Sequence, residues 1–195
     1  ERYFTQIEAI DYENLQIIVI NDGSKDKTSE IVKKYANVDS RIEFIDKRTN
    51  EGVSSARNDA LKMARGKFCF FFDCDDTFET QIVEKCVSKV KADTDTVCYN
   101  YASVRRDGNV SKHEFSYRKC VYKKEEILEQ ILPNSFGTSI ADLKRYLSGK
   151  CGMRQGKELN GPWRMMYSLE IIRKENIFFR RDLHVGEDTI FTNKY

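Results

Sequence analysis

Short apolar runs alternate with helix-like patterns through the first half of the chain, and this alternation is the strongest constraint on its fold. Leu15–Ile20 is rich in β-branched residues, as buried strands are, and the turn residues Asn21–Ser24 end it. Alternating strands and helices build parallel sheets, so we predict an α/β fold with a mixed, mainly parallel central sheet flanked by helices. The predicted order continues with a helix over Thr28–Tyr35, a strand over Ile42–Ile45, a helix over Val53–Ala64 and a buried central strand over Phe68–Phe72.

The rhythm changes after a further predicted helix, Gln81–Val90, and a strand, Thr96–Tyr101. Val104–Val121 then has the pattern of a polar hairpin that turns at Asp107 and Gly108. The rest is predicted as amphipathic helices over Lys123–Leu132 and Ile140–Leu147, a glycine-bearing loop over Gly149–Gly161, a return to the sheet over Trp163–Tyr167 and a helix over Leu169–Glu175. We therefore expect one domain of 195 residues with two halves, residues 1–101 and 102–195.

Composition excludes several classes of protein. The 33 Lys and Arg residues nearly balance 31 Asp and Glu residues, so bulk charge does not favour binding to nucleic acid. The longest apolar runs are far shorter than the roughly 18 residues of a membrane-spanning helix. Six cysteines form no C-x-x-C pair, which favours reduced thiols and a cytoplasmic location, and two histidines supply no ligand set for structural zinc.

Three carboxylates follow the predicted strand Phe68–Phe72 within four residues, at Asp73, Asp75 and Asp76. Ligands of open α/β sheets bind at the carboxyl ends of the strands, which is where these side chains are expected. Carboxylates so close together repel one another unless they share a cation. Oxygen ligands of this kind suit magnesium or manganese, so we predict a divalent cation here. The alternative is a loop of acidic helix-capping residues.

Two other segments are candidates for binding a nucleotide. Asn21, Asp22, Gly23 and Ser24 end the first predicted strand, and their polar groups suit hydrogen bonds to a base or ribose. Gly52–Asn58 opens a predicted helix, where free backbone amides and the Arg57 guanidinium suit phosphate. Ordinary turn chemistry and a solvated helix face explain the same two segments equally well.

Together these segments resemble the family 2 glycosyltransferases, which have the nucleotide-diphospho-sugar transferase fold called GT-A. The resemblance rests on four motifs in order, IIVINDGSKD, NEGVSSARNDAL, GKFCFFFDCDD and GEDTIF. It covers residues 15–90 well and residues 160–191 loosely. It implies an inverting transfer from a nucleotide sugar, with UDP as the expected nucleotide, and makes residues 1–101 the donor half and residues 102–195 the acceptor half.

The resemblance also implies roles for single residues on the donor side. Asp22 hydrogen-bonds the base, with Asn21, Gly23 and Ser24 beside it, and Arg57 and Asn58 lie near the nucleotide. Asp73 and Asp75 are the D-x-D pair that contacts the ribose and, through manganese or magnesium, the diphosphate. Asp76 is adjacent to that pair.

On the acceptor side, the resemblance makes Asp188 the general base that deprotonates the acceptor hydroxyl, with Glu187 as its neighbour. The residues alone favour a helix N-cap pair at these two positions. Trp163 matches a tryptophan that often precedes the family's base motif, and its ring suits contact with a sugar. The implied acceptor is a glycan or lipid-linked glycan in bacterial surface polysaccharide assembly, at the inner face of a membrane that the protein contacts peripherally.

Two departures from the family pattern lead us to expect an incomplete chain. Family members begin with an apolar strand ending in a Pro-x-Tyr-Asn-like motif, whereas this chain starts with Glu1-Arg2-Tyr3-Phe4. It stops seven residues after Asp188, where the family commonly continues. We therefore expect that the first strand is missing.

Other functions fit parts of the same pattern. FFFDCDDTF also matches the motif of haloacid-dehalogenase-like phosphatases, with Asp73 as nucleophile, Asp75 as acid/base and Thr77 in place. That family normally opens its core with this strand and later needs a lysine and a strand-borne G-D-x-x-x-D motif, whereas here two βα units come first and Gly186-Glu187-Asp188 follows no apolar strand. The glycine-rich phosphate loop of the sugar-phosphate nucleotidyltransferases, a second alternative, has no counterpart in this sequence. A non-catalytic carbohydrate-binding homologue remains the alternative outside enzymes.

Overall fold

The computed structural model describes residues 1–115, 119–132, 147–149, 161–183 and 185–195. The first half contains α1 (Arg2–Glu8), β1 (Ile17–Asp22), α2 (Thr28–Ala36), β2 (Ile42–Lys47), α3 (Val53–Met63), β3 (Phe68–Phe70), α4 (Ile82–Val87) and β4 (Thr96–Cys98). The second half contains β5 (Tyr101–Val104), β6 (Val110–His113), α5 (Lys124–Glu126), which continues as a wider turn over Ile127–Ile131, β7 (Met165–Ser168), α6 (Leu169–Lys174) and α7 (Glu187–Lys194). This is the predicted α/β class.

The first two strands form a parallel pair with α2 as their crossover helix. The register sets Ile17 beside Ile42 at one end and Asp22 beside Lys47 at the other. Val32 is the buried residue of α2, and it packs with Ile42 and with Phe4 and Ile7 of α1. The predicted β-α-β unit is therefore present, and its polar end carries a carboxylate next to an ammonium group.

The second sheet has the order β3-β7-β4, and β7 runs antiparallel to both neighbours. All four residues of β7 are buried, so the predicted return of the chain to the sheet is confirmed, as its central strand. The prediction of a buried central strand over Phe68–Phe72 is wrong. β3 ends at Phe70, its three residues are only partly buried, and it lies at the edge of this sheet because β7 takes the centre.

The predicted hairpin is also present, although it begins earlier than expected. β5 pairs antiparallel with β6, from Tyr101 opposite His113 to Val104 opposite Val110. Gly108 in the turn has φ of +83°, a conformation that glycine adopts without strain. The predicted helix Ile140–Leu147 and the predicted loop Gly149–Gly161 lie almost entirely outside the described residues.

A row of aromatic rings connects helices α1 and α2 with the segment that follows β3. The Phe4 ring of α1 stacks on Tyr35 of α2, with centroids 4.5 Å apart. The neighbouring ring of Tyr3 lies edge-on to Phe78, 5.8 Å away, and Phe78 stacks on Phe72 at 4.8 Å. Aromatic pairs at these separations attract one another beyond simple burial. The row therefore ties α1 and the first sheet to the segment that follows β3.

Two further features bear on the sequence predictions. Cys69, Cys74, Cys86, Cys98 and Cys120 are free thiols, as expected, and Cys151 lies outside the described residues. Within the part of the chain that the structure describes, no helix is long and apolar enough to cross a membrane. The division into halves at residue 101 stays a prediction.

Candidate active site

The end of β1 is a tight, internally bonded turn. The buried Asn21 amide donates to Asp46 Oδ1 at 2.8 Å, and Asn21 Oδ1 accepts from the Ser24 amide at 3.1 Å. Gly23 has φ of +78°, and a Cβ atom there would lie 2.6 Å from the backbone of Thr49 and Asn50. The turn is therefore packed directly against the loop that leads to α3, which explains the glycine.

The Asp22 carboxylate holds that same loop. It accepts hydrogen bonds from the backbone amides of Glu51, at 3.1 Å, and Gly52, at 2.7 Å, and it pairs with Lys47 Nζ at 3.1 Å. Burial opposes ionisation of Asp22, but these donors outweigh burial and lower its pKa. Asp22 thus fixes the path of the chain into α3.

Lys47 is a site residue that the motifs did not indicate. Its side chain is 11% exposed and lies among carboxylates, 2.8 Å from Glu51, 3.1 Å from Asp22 and 3.4 Å from Asp59. Its ammonium group also donates to Ser55 Oγ at 3.1 Å. The only available signal was its place at the end of β2, which the parallel register sets beside Asp22.

The acidic turn, residues Asp73–Asp76, follows β3 at the carboxyl end, as predicted. The Asp76 amide donates to the Asp73 carbonyl at 3.1 Å, which closes the turn. Partial burial and then the negative charges of Asp73 and Asp75 raise the pKa of Asp76. Among the described residues, no group of three or more candidate ligands converges as a metal site.

Arg57 brings together two of the predicted acidic sites. Its Nη2 atom lies 3.0 Å from Asp73 Oδ1, and its Nη1 atom donates to Asp188 Oδ1, which is 131 residues away in the chain. The Phe179 ring covers the guanidinium, 5.2 Å from its centroid. The end of β3, the first half of α3 and the start of α7 therefore meet at this one side chain.

Asn58, the next residue of α3, is a buried structural link. Its amide nitrogen donates to the Phe179 carbonyl at 2.9 Å, and its amide oxygen accepts from the Phe179 backbone N–H at 2.8 Å. Both ends of the amide are thereby engaged by one peptide segment. A contact between Asn58 and the nucleotide stays a prediction.

The Glu187 and Asp188 pair lies in the first turn of α7. Gly186 occupies the N-cap position with φ of +87°, so neither acidic residue is the cap itself. Burial raises the pKa of Asp188, the nearby Arg57 cation opposes this rise, and the negative charge of Glu187 adds to it. Asp188 is thus a half-buried carboxylate that resists ionisation more than an ordinary aspartate.

Trp163 lies in the short turn Pro162–Arg164, which packs against α7. Its ring contacts Tyr101 of the hairpin edge-on, with centroids 4.8 Å apart, and its carbonyl accepts from the Tyr99 hydroxyl at 2.5 Å. The buried Arg164 guanidinium lies over the rings of Tyr101 and Phe115. Trp163 therefore joins the hairpin to the helix that carries Asp188.

Comparison with known proteins gives a consistent set of relatives. The sequence model described as "Glycosyl transferase family 2" matches residues 1–147. The protein named "Putative glycosyltransferase EpsH" of Bacillus subtilis strain 168 is 37% identical over 183 residues, which cover 92% of this chain and 46% of EpsH. The glycosyltransferase GlyA of Streptococcus pneumoniae is 36% identical over 124 residues, or 62% of this chain and 18% of GlyA. The chain thus spans less than half the length of these relatives.

Solved structures with the same fold are more distant in sequence. TarS of S. aureus residues 1–349 in complex with UDP has a TM-score of 0.65 at 20% identity, covering 97% of this chain and 48% of that one. The mannosyltransferase PcManGT of Pyrobaculum calidifontis in complex with GDP-Man and Mn²⁺ has a TM-score of 0.56 at 16% identity, covering 96% and 45%.

Proposed function

The chain belongs to glycosyl transferase family 2 and has the GT-A fold. From this we propose that it transfers the sugar of a UDP-sugar to an acceptor hydroxyl and releases UDP. We propose a glycan or lipid-linked glycan of the cell surface as the acceptor, reached by peripheral contact with the inner face of the membrane. The observation that carries the proposal is the meeting of the acidic turn with Asp188 at Arg57. The phosphatase alternative has no support in the family match.

The donor diphosphate would bind at the acidic turn. The three carboxylates of this turn are the kind of oxygen ligand that a hard divalent cation such as manganese or magnesium prefers. Asp73 and Asp75 would hold the cation together with the donor phosphates, and Asp76 would lie beside them. A bound cation would offset the negative charge that builds on the departing diphosphate.

Asp188 would accept the proton of the acceptor hydroxyl. Its half-buried carboxylate is held by Arg57 at one oxygen, and it has a raised pKa, as suits a general base. A single displacement with the base on the face opposite the leaving group inverts the anomeric configuration. Glu187 would raise the basicity of Asp188 by its negative charge, and Trp163 would contact the acceptor sugar.

The end of β1 would receive the nucleotide. Asn21, Gly23 and Ser24 form a rigid turn there, and Asp22 ties this turn to the start of α3. Both Asp22 oxygens accept from neighbouring amides, so we propose that Asp22 shapes the pocket for the base in addition to contacting it.

A thermal-shift titration tests the donor and the cation together. The protein is melted with UDP, GDP or CDP, each with and without Mn²⁺, as wild type and as Asp75→Asn. Asp107→Asn, in the exposed hairpin turn, is the matched control. A ligand at about 100 times its Kd adds about 2.7 kcal/mol to the stability, so we expect a clear shift with UDP and Mn²⁺ in the wild type and control only. No shift with any nucleotide would contradict the proposal.

A second measurement separates a transferase from a binding homologue. UDP release is followed from UDP-glucose, UDP-galactose and UDP-N-acetylglucosamine with Mn²⁺, first with water as the acceptor. Asp188→Asn is expected to lower UDP release by at least about 100-fold while UDP still binds. NMR of the released sugar is expected to show inversion, and a retained anomeric configuration would exclude the proposed single displacement. UDP binding without UDP release would favour the non-catalytic alternative.

A further inference from the structure

Arg57 pairs with two protein carboxylates, which is more than a side chain that only binds phosphate would need. Its two terminal nitrogens contact the Oδ1 atoms of two different carboxylates, Asp73 and Asp188, and its side chain is only 13% exposed. A planar guanidinium offers paired donors in a fixed fork, and here protein carboxylates occupy both prongs. Both terminal nitrogens therefore already pair with a protein carboxylate before any donor diphosphate binds.

The surroundings hold Arg57 in this place. The Phe179 ring lies against its guanidinium, and the neighbouring Asn58 fixes the Phe179 backbone through two buried hydrogen bonds. Phe179 itself is buried in the main core and stacks on Phe191 of α7, with centroids 4.0 Å apart. The Arg57 guanidinium therefore packs against a buried ring that also contacts α7, the helix that carries Asp188.

We propose that Arg57 is the positioning residue of Asp188: it binds one oxygen of this carboxylate, ties it to Asp73, and leaves the other oxygen for the acceptor hydroxyl. The proposal rests on the proposed function, in which Asp188 is the base. It assigns to Arg57 a role in orienting the acceptor side of the reaction, in place of the contact with the nucleotide that the motif implies.

The physical reason lies in the charges on either side of Arg57. Asp73 and Asp188 are both negative, and the negative charge of Asp73 is among those that face Asp188. Without the Arg57 guanidinium between them, the two carboxylates would repel each other and Asp188 would lose its fixed orientation. Because misplacement of a reacting group by about 1 Å costs on the order of 100-fold in rate, the loss should be seen in kcat.

Kinetics of Arg57 variants test this role. Arg57→Gln removes the charge and the fork, Arg57→Lys keeps the charge but replaces the planar fork with a single ammonium group, and Arg65→Gln is the matched surface control. Arg65 pairs with Glu43, and its side chain is 69% exposed. Each variant is assayed for UDP release from the three UDP-sugars and for the Kd of UDP with Mn²⁺ by calorimetry.

We expect Arg57→Gln to lower kcat by at least about 30-fold while the Kd of UDP changes by less than about 3-fold. Arg57→Lys should recover part of kcat, and Arg65→Gln should match the wild type. A Kd for UDP raised by about 10-fold with kcat unchanged would overturn the proposal, because it would make Arg57 a nucleotide ligand. An unchanged kcat would overturn it as well. If Arg57→Gln does not fold, Arg57→Lys decides by the same two criteria.

Asp188→Asn separates the failure of this proposal from failure of the proposed function. Full activity of a folded Asp188→Asn protein would overturn the assignment of Asp188 as the base, whereas a wild-type protein that neither binds UDP nor releases it would overturn the proposed function itself. Loss of activity in Asp188→Asn but not in Arg57→Gln would overturn only the role of Arg57. If Arg57 acts through Asp188, the double variant should release UDP no more slowly than Asp188→Asn alone.

Discussion

At the scale of single residues, ionic contacts that no motif indicates organise the site. Lys47 is nearly buried and has three carboxylates within 3.4 Å. A buried ammonium group needs such partners, and the partners in turn depend on it, since removal of one member leaves the others uncompensated. Asp22, the most prominent polar residue of the first motif, is one of those partners. Stability and the shape of the donor site therefore depend on the same side chain.

Replacement of Lys47 by methionine tests this dependence. Lys47→Met keeps the length of the side chain but leaves Asp22, Glu51 and Asp59 without their shared cation. We expect the free energy of unfolding to fall by about 3 kcal/mol in urea titrations. Lys33→Met is the control, because Lys33 pairs with Asp46 at 3.0 Å through a side chain that is 60% exposed, and it should cost less than about 1 kcal/mol. Equal losses in the two variants would contradict this view.

The lowered pKa of Asp22 gives a pH dependence with a definite sign. An aspartate with a lower pKa in the folded than in the unfolded chain stabilises the fold above its unfolded pKa of about 3.9. This contribution disappears as the pH falls through the lower folded pKa. We expect the urea midpoints of wild type and Asp22→Asn to differ clearly at about pH 6, and the difference to shrink as the pH falls below about 3.9 and through the folded pKa of Asp22. A gap that widens in acid would show that another group is responsible.

At the scale of elements, the turn after β1 and the loop before α3 form one packed unit. Gly23 lies against the backbone of Thr49 and Asn50, and Asp22 caps the loop from the same turn. Local chemistry explains the turn, but the contact between two segments 26 residues apart explains why the residue is glycine. The arrangement sets the start of α3, from which Arg57 and Asn58 project.

Two glycine substitutions separate backbone conformation from close packing. Gly23 and Gly108 have similar φ values, +78° and +83°, but only Gly23 has atoms within 4 Å of its missing Cβ. Gly108→Ala should cost about 1 kcal/mol from conformation alone, whereas Gly23→Ala should cost at least about 3 kcal/mol and weaken UDP binding. Urea unfolding and calorimetry measure both effects. Similar costs for the two variants would mean that the close approach is relieved by a small backbone shift.

At the scale of the whole molecule, the β1-β2 sheet and the β3-β7-β4 sheet are joined by a few tertiary links. The aromatic row from Tyr35 to Phe72 is one link, and the α3 contacts of Arg57 and Asn58 with the C-terminal segment are another. Within the described residues the two sheets share no ladder of backbone hydrogen bonds. Cooperative unfolding therefore depends on side chains.

Phe78→Ala tests this coupling, because Phe78 joins Tyr3 of α1 to Phe72. The chain has one tryptophan, Trp163, which lies beside the second sheet, so its fluorescence follows that sheet while far-UV circular dichroism follows the whole chain. In the wild type we expect the two urea transitions to coincide. In Phe78→Ala the free energy of unfolding should fall by about 2 to 3 kcal/mol, and the two transitions should separate. Coincident transitions in the variant would show that α3 alone is a sufficient link.

Much of this protein can be predicted from the sequence because the relevant signals are local. The β-α-β start, the hairpin at Asp107 and Gly108, and the acidic turn after β3 each follow from strand periodicity and turn chemistry within about ten residues. The four motifs also identify the family. The same reasoning wrongly predicted Phe68–Phe72 as a central strand. The apolar character of a run predicts burial, but it does not show which strands pair with it in the sheet.

The tertiary structure alone decided the contacts between distant segments. That β7 becomes the central strand, that Lys47 faces Asp22 and that Arg57 bridges Asp73 and Asp188 all depend on which elements pack together. Such contacts link residues up to 131 positions apart, and their energies come from burial and charge pairing that exist only after the chain has folded. The order of the amino acids sets which chemical groups are available and at which strand and helix ends they lie. Packing determined which of those groups touch.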